Sequence, residues 1–272
     1  MLPYPFRIEL RRAAWRVVRA VQRPRPCRRF AGDVGGVGGY PILLFEHSSK
    51  PIRRVPSELI QLQRNKVRNL ELACARMDRL LLEPGDVFSF CALVGRTSRR
   101  RGYLDGLETH QGRIVGAPGG GLCQLANLLY WMALHLDLEI VERHHHAVDL
   151  FPDDERRVPF GMGATVFYNY RDLRFRNTLD QPLLLRVSVE DRLRGAFYSD
   201  RPVAFRIAIV EKAHRFRRDG SGAIVRENRV GKRIEYEDER PAFECEIAHN
   251  IGRVCYDPPE DQIEDGGQAL RG

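Results

Sequence analysis

The chain has 272 residues, of which 43% are hydrophobic and 29% charged, with a formal net charge of +8 at pH 7. This is the balance of a globular protein with enough chain for a sizeable core, built as one large domain or two small ones. No apolar run approaches the roughly 18–20 residues a spanning helix needs, and arginines break the N-terminal apolar stretch before a signal-peptide core can form. The positive charge is local. Residues 1–30 hold nine arginines against a single acid, Glu9, and the remaining positions carry 35 basic and 35 acidic residues. A nucleic-acid partner is therefore excluded for the globular part, whose charge balances to zero. Six cysteines (Cys27, Cys74, Cys91, Cys123, Cys245 and Cys255) lie far apart without a CxxC pair, which argues against a disulfide scaffold or a zinc ribbon and favours a cytoplasmic setting.

In chain order, residues 6–21 wind Phe6, Leu10, Ala13, Ala14, Val17 and Val21 onto one helical face and arginines onto another. Such a face packs on the domain or, over residues 6–23, makes a weak peripheral contact with an anionic membrane. The prolines of "RPRP" end it. "GDVGGVGG" (32–39) lacks the spacing of a nucleotide-binding loop, and no cofactor is expected. "YPILLFE" (40–46) reads as a buried strand. Residues 57–82 read as a long helix capped by Ser57, with Leu59, Leu62, Lys66/Val67, Leu70, Ala73, Met77 and Leu80/Leu81 as its stripe. "VFSF" (87–90) is a strand, 123–136 a helix carrying Leu125, Leu128, Leu129, Met132 and Leu136, and "LEIVER" (138–143) a strand. Short β-rich runs follow at 164–170, 173–177, 182–190, 193–199, 203–211, 223–237 and 243–250. Helices first and antiparallel strands later predict an α+β fold, with helices of the N-terminal half packed on a mainly antiparallel sheet from the C-terminal half. The expected boundaries are a basic arm over 1–31, an α+β domain over 32–256 and a polar tail over 257–272.

The chemistry concentrates in "APGGGLCQLANLLYW" (117–131). A thiol opening a helix sits where unpaired amides and the helix dipole favour negative charge, and the thiolate is the nucleophile. The glycines before it allow close backbone approach, so Gly120 and Gly121 are candidate oxyanion donors. A base is needed, and His144 and His146, on the run that leaves the next strand, are the candidates. Asp149, Asn169 and Asp172 are candidate orienters of that base. Gln124, Asn127 and Arg143 are candidate substrate-binding groups. Two other readings stand beside this one. Gly-Gly-Gly followed by a cysteine is also an ordinary turn leading into a core helix, and Cys123 with His144 and His146 has the donor types of a metal site.

"PGDVFSF" (84–90), "GGGLCQLANLLYWM" (119–132), "IVERHHH" (140–146) and "GATVFYNYRDLRFRN" (163–177) resemble, in order and spacing, the VanW family, named for an accessory protein of B-type vancomycin-resistance clusters. The resemblance is firm over about residues 40–200. It implies a link to glycopeptide resistance and cell-wall metabolism, with a peptidoglycan precursor or peptide as ligand. The family's recurring cysteine and histidine fall on Cys123 and His146, and His144 matches in many relatives. Gly163 stands where many relatives carry aspartate, so no third member of a triad is carried over. The expected function is a cysteine-dependent hydrolase or acyltransferase. A non-catalytic peptide- or muropeptide-binding module, or a metal-binding protein, is the alternative.

Overall fold

The computed structural model describes residues 28–29, 38–52, 55–110, 113–145, 148–149 and 158–264. The expected helix at 6–21 with its membrane face, most of the 32–39 loop, and His146 lie outside the described residues. The described strands and helices are β1 (Arg28–Arg29), β2 (Ile42–Ser49), α1 (Ile60–Met77), β3 (Leu80–Leu82), β4 (Val87–Ser89), α2 (Phe90–Val94), β5 (Asp105–His110), β6 (Arg113–Pro118), α3 (Cys123–His135), β7 (Glu139–Glu142), β8 (Val148–Asp149), β9 (Arg174–Arg176), β10 (Leu183–Val189), β11 (Leu193–Ser199), β12 (Phe205–Arg218), β13 (Ile224–Tyr236), β14 (Phe243–Val254) and β15 (Ile263–Glu264). The fold is α+β with mostly antiparallel sheets, as the order of elements predicts. The chain divides into two compact units, Met1–Glu108 with Val115–His144 and Ala164–Pro202, and Thr109–Ile114 with His145–Gly163 and Val203–Gly272.

The first unit is built on an antiparallel sheet of order β1-β3-β10-β11-β2, so the early strands β2 and β3 join the later ones rather than leaving the sheet to the C-terminal half. α1 packs on β10, and α3 packs on β2 and β11. α3 comes so close that a Cβ at Gly195 of β11 would lie 2.6 Å from Leu128 Cδ2 and Met132 Sδ. Leu125, Leu129 and Met132 of α3 and Leu183–Leu185 of β10 are fully buried. A second antiparallel sheet, β4-β9-β7, stacks Phe88 on Phe175 at 4.5 Å between ring centres.

Three expectations in this unit are corrected. The helix does not run to Leu82: it ends at Met77, Arg79 takes φ +63°, and Leu80–Leu82 form β3. A run of three leucines satisfies a helical stripe and a buried strand equally. The chain is committed to the strand by Asp78, whose Oδ1 accepts the Val187 amide at 2.9 Å. Ser57 does not cap the helix; it opens a 3-10 turn, Ser57–Leu59, and makes no capping bond. Residues 164–170 are not a strand either. The Ala164 amide is taken by Asn127 Oδ1 (2.6 Å) and the Thr165 amide by the His144 carbonyl (2.7 Å), which leaves no ladder. Phe167 and Arg171 then close a turn with Asn169 at φ +57°.

The second unit is a meander of three long strands, β12-β13-β14, with β15 alongside β12 and β8 alongside β14, both parallel. Its interior sets a buried polar network among apolar side chains such as Met162, Val230 and Ile234. Arg226 is 3% exposed, donates from Nη1 to Asp149 Oδ2 at 3.0 Å, and lies over the rings of Phe160 (5.1 Å) and Phe216 (5.3 Å). Tyr256 donates to the same carboxylate oxygen at 2.9 Å. Asn228 and Asn250 both donate to the Phe160 carbonyl, at 3.0 and 3.1 Å. Gly161 is held at φ +77°, where a Cβ would strike the Asn250 side chain. Glu227, with no exposed surface, accepts from Arg215 Nη2 (3.0 Å), Arg217 Nε (3.1 Å) and His249 Nε2 (2.7 Å).

Candidate functional site

The glycine turn before α3 is fixed on three sides. Gly120 is buried, and a Cβ there would lie 2.1 Å from the Gly106 carbonyl oxygen of β5. Gly121, at φ +92°, lies against the methylenes of Lys66, where a Cβ would sit 2.1 Å from Lys66 Cγ. Asn69 of α1 donates from Nδ2 to the Gly120 carbonyl at 3.0 Å. The turn therefore needs its glycines for packing as much as for backbone freedom. It delivers Cys123 to the first position of α3 with partial exposure. The Gly120 amide is used within the turn, bonding the Ala117 carbonyl at 2.9 Å. The Gly121 amide has no acceptor among the described residues.

The loop after Gly163 crosses this helix start and connects the candidates. Ala164 bonds Asn127, Thr165 bonds the His144 carbonyl, and the Val166 carbonyl receives the Cys123 thiol at 3.8 Å. Three consecutive residues thus tie α3, the end of β7 and the thiol together. His144 Nε2 pairs with Glu142 Oε1 at 3.1 Å, and the same oxygen accepts the Asp172 amide at 3.0 Å. Among the described residues the sulfur bonds the Val166 carbonyl and no imidazole. Burial pushes the Cys123 thiol pKa up, and the Glu108 carboxylate adds to this, while backbone hydrogen bonding at Val166 and at Cys123 itself and the Arg171 guanidinium lower it. The resting thiol is accordingly protonated.

The other expected residues have these places. Gln124 donates from Nε2 to Ser49 Oγ (2.9 Å) and the Lys50 carbonyl (2.7 Å), and its Oε1 is buried without a partner among the described residues. Thr165 Oγ1 is in the same position. Arg143 lies over the Tyr130 ring at 4.6 Å, and burial lowers its pKa. Asp172 is fully buried and accepts from Ser89 Oγ (2.6 Å) and the Cys91 amide (2.8 Å), so it serves the start of α2. Asn169 occupies the 167–171 turn. Asp149 belongs to the second unit, paired with Arg226. No group of three His, Cys, Asp or Glu side chains gathers around one point among the described residues, which do not include His146.

Asn69, Lys66, Glu108 and Glu142 are at the site without having been singled out as site residues from sequence. One signal was available for α1. Gln63, Lys66, Leu70, Ala73 and Met77 follow a three–four spacing, and all five are buried. A stripe that begins polar and turns apolar marks a helix whose first turns face a site rather than a core.

The comparisons with known proteins bear on the family. The sequence pattern described as "VanW like protein" matches residues 65–198, which hold most of α1, the glycine turn, Cys123 and the loop across it. The chain is 31% identical over 231 residues to the vancomycin B-type resistance protein VanW of Enterococcus faecalis, covering 84% of each chain. It is also 31% identical over 126 residues to the uncharacterised protein YoaR of Bacillus subtilis, covering 45% of this chain and 39% of that one. No solved structure matches. With an extended relative at this identity, and with the resemblance first drawn from the glycine–cysteine segment and its companions, the chain belongs to the VanW family.

Proposed function

We propose that this protein contributes to vancomycin resistance by acting on a peptidoglycan-precursor peptide, with Cys123 as the nucleophile of a hydrolase or acyltransferase. The observation that carries this reading is the position of the thiol: it opens α3 beside its own amide, directly after a turn whose Gly121 amide is unclaimed among the described residues. Because burial holds the thiol protonated, attack requires a base to take its proton as the carbon–sulfur bond forms. His146, or His144 oriented by Glu142, fills that role. The pairing of Glu142 with His144 supplies the orienting carboxylate that Gly163 does not.

The test is incubation with a soluble precursor peptide, followed by mass spectrometry of the Cys123 peptide. An acyl adduct is expected, absent in Cys123→Ser, and formed roughly 10²–10⁴-fold more slowly on removing the histidine that acts as base. No adduct, together with a Cys123 alkylation rate indifferent to His144→Ala and His146→Ala, would sink the enzyme reading. The raised thiol pKa favours a second reading, a binding module that uses the same residues without catalysis. In that case calorimetry finds the peptide bound equally well by Cys123→Ala.

A further inference from the structure

We propose that Asn69 is a positioning residue for the chemistry of Cys123, acting by aiming the Gly121 amide as the oxyanion donor. The inference rests on the reading of Cys123 as nucleophile and adds how the turn before it is set. Asn69 is fully buried in α1 and uses its amide at both ends. Nδ2 donates to the Leu104 carbonyl (2.9 Å) and the Gly120 carbonyl (3.0 Å), and Oδ1 accepts the Leu104 amide (2.8 Å). A buried carboxamide costs stability unless its bonds are made, and these bonds join three separate pieces of chain: α1, the entry to β5 and the glycine turn.

The geometry of the peptide unit turns this clamp into an aiming device. In a trans peptide the C=O and the following N–H point in opposite directions, and no cis bond occurs among the described residues. Drawing the Gly120 carbonyl toward Asn69 therefore points the Gly121 N–H away from α1. The neighbouring amide cannot substitute, because the Gly120 N–H is already bonded to the Ala117 carbonyl at 2.9 Å. Nor can the unit swing freely, with Gly120 against the Gly106 backbone and Gly121 against Lys66. Of the two glycines expected to act as donors, only Gly121 keeps its amide available. Asn69 touches no reacting atom; it sets the direction of one that would.

The test compares two reactions of Cys123 in the full chain, each located by mass spectrometry because five other cysteines are present. With p-nitrophenyl acetate the sulfur adds to the carbonyl carbon, an oxyanion forms, and its collapse expels p-nitrophenolate to leave a thioester, the thiol proton passing to solvent or base. With iodoacetamide the sulfur displaces iodide and no oxyanion arises. Asn69→Ala is expected to slow acylation roughly 10- to 100-fold, within the range for a compromised oxyanion donor, while alkylation stays within about twofold. Asn69→Asp opposes two carbonyls with a carboxylate, so its ratio of acylation to alkylation is expected to recover as the acid protonates at lower pH. Should both variants misfold, the wild type still decides. In the thiohemiacetal formed with N-acetylalaninal, the Gly121 amide proton should shift downfield. Acylation and alkylation falling together, or an unmoved Gly121 resonance, overturns the role of Asn69 alone. A wild-type Cys123 inert to both reagents overturns the nucleophile reading and this role with it.

Discussion

The two units solve the same problem, filling the faces of a sheet, with a different balance of materials. In the first, helices supply hydrocarbon: Leu125, Leu129 and Met132 descend on β11 at Gly195, and Phe175 meets both Phe88 and Phe197. In the second, strands of 14, 13 and 12 residues meander with no α-helix among the described residues, and the buried positions include Arg226, Glu227, Asn228, Asn250 and Asp149. Hydrocarbon tolerates imperfect neighbours, because each contact is small and many are made. A buried polar network does not, because any group left without its partner bears the full desolvation cost. The first unit should thus lose stability in proportion to the volume disturbed, and the second all at once.

That contrast can be broken at three points. The largest effect is expected from Arg226→Met, which takes the guanidinium away from the buried Asp149 carboxylate while Tyr256 still donates to it. Denaturant unfolding should show a loss of about 3–5 kcal/mol. The double variant Arg226→Met/Asp149→Leu should recover much of it, and a double variant no better than the single would show that the pair is not the source. Gly195→Val should cost about 1–3 kcal/mol by overpacking against Leu128 and Met132, and Met132→Ala should relieve part of that cost. No relief would mean that the close approach of α3 is not what fixes the glycine. The smallest effect concerns His135, stacked on Phe45 at 4.2 Å, whose pKa burial lowers. With the folded pKa below the unfolded one, the unfolded chain binds the proton first. His135's contribution is therefore complete above about pH 6.5 and lost as pH falls through the folded value, by no more than about 1.4 kcal/mol per pH unit. His135→Phe should flatten that part of the acid limb; an unchanged slope would assign it elsewhere.

The same contrast explains what could be read in advance. α3 was legible because its apolar residues recur without interruption, and β10–β14 because β-branched and aromatic residues alternate between turns. The end of α1 was misplaced because three leucines fit either period, and "TVFYNY" misled because its β-prone side chains sit on backbone whose amides are claimed by Asn127 and His144. The interior of the second unit was hidden. "VREN" (225–228) reads only as part of a β-rich run until Phe160, Asp149 and His249 arrive from distant parts of the chain. The site divided likewise: the glycine turn and Cys123 announce themselves locally, whereas Asn69, Glu108 and Glu142 acquire meaning only from tertiary neighbours.

The parallel pairing of β8 with β14 has a consequence for the birth of the molecule. Arg226 follows Asp149 by 77 residues, so at roughly 5–20 residues per second a ribosome leaves that carboxylate waiting several seconds for its guanidinium. In that interval β11 is made and the main sheet of the first unit can close, while Val148–Asp149 has no strand to join. Val148–Asp149 is thus a late stitch in the nascent chain, taken up only once β14 has emerged.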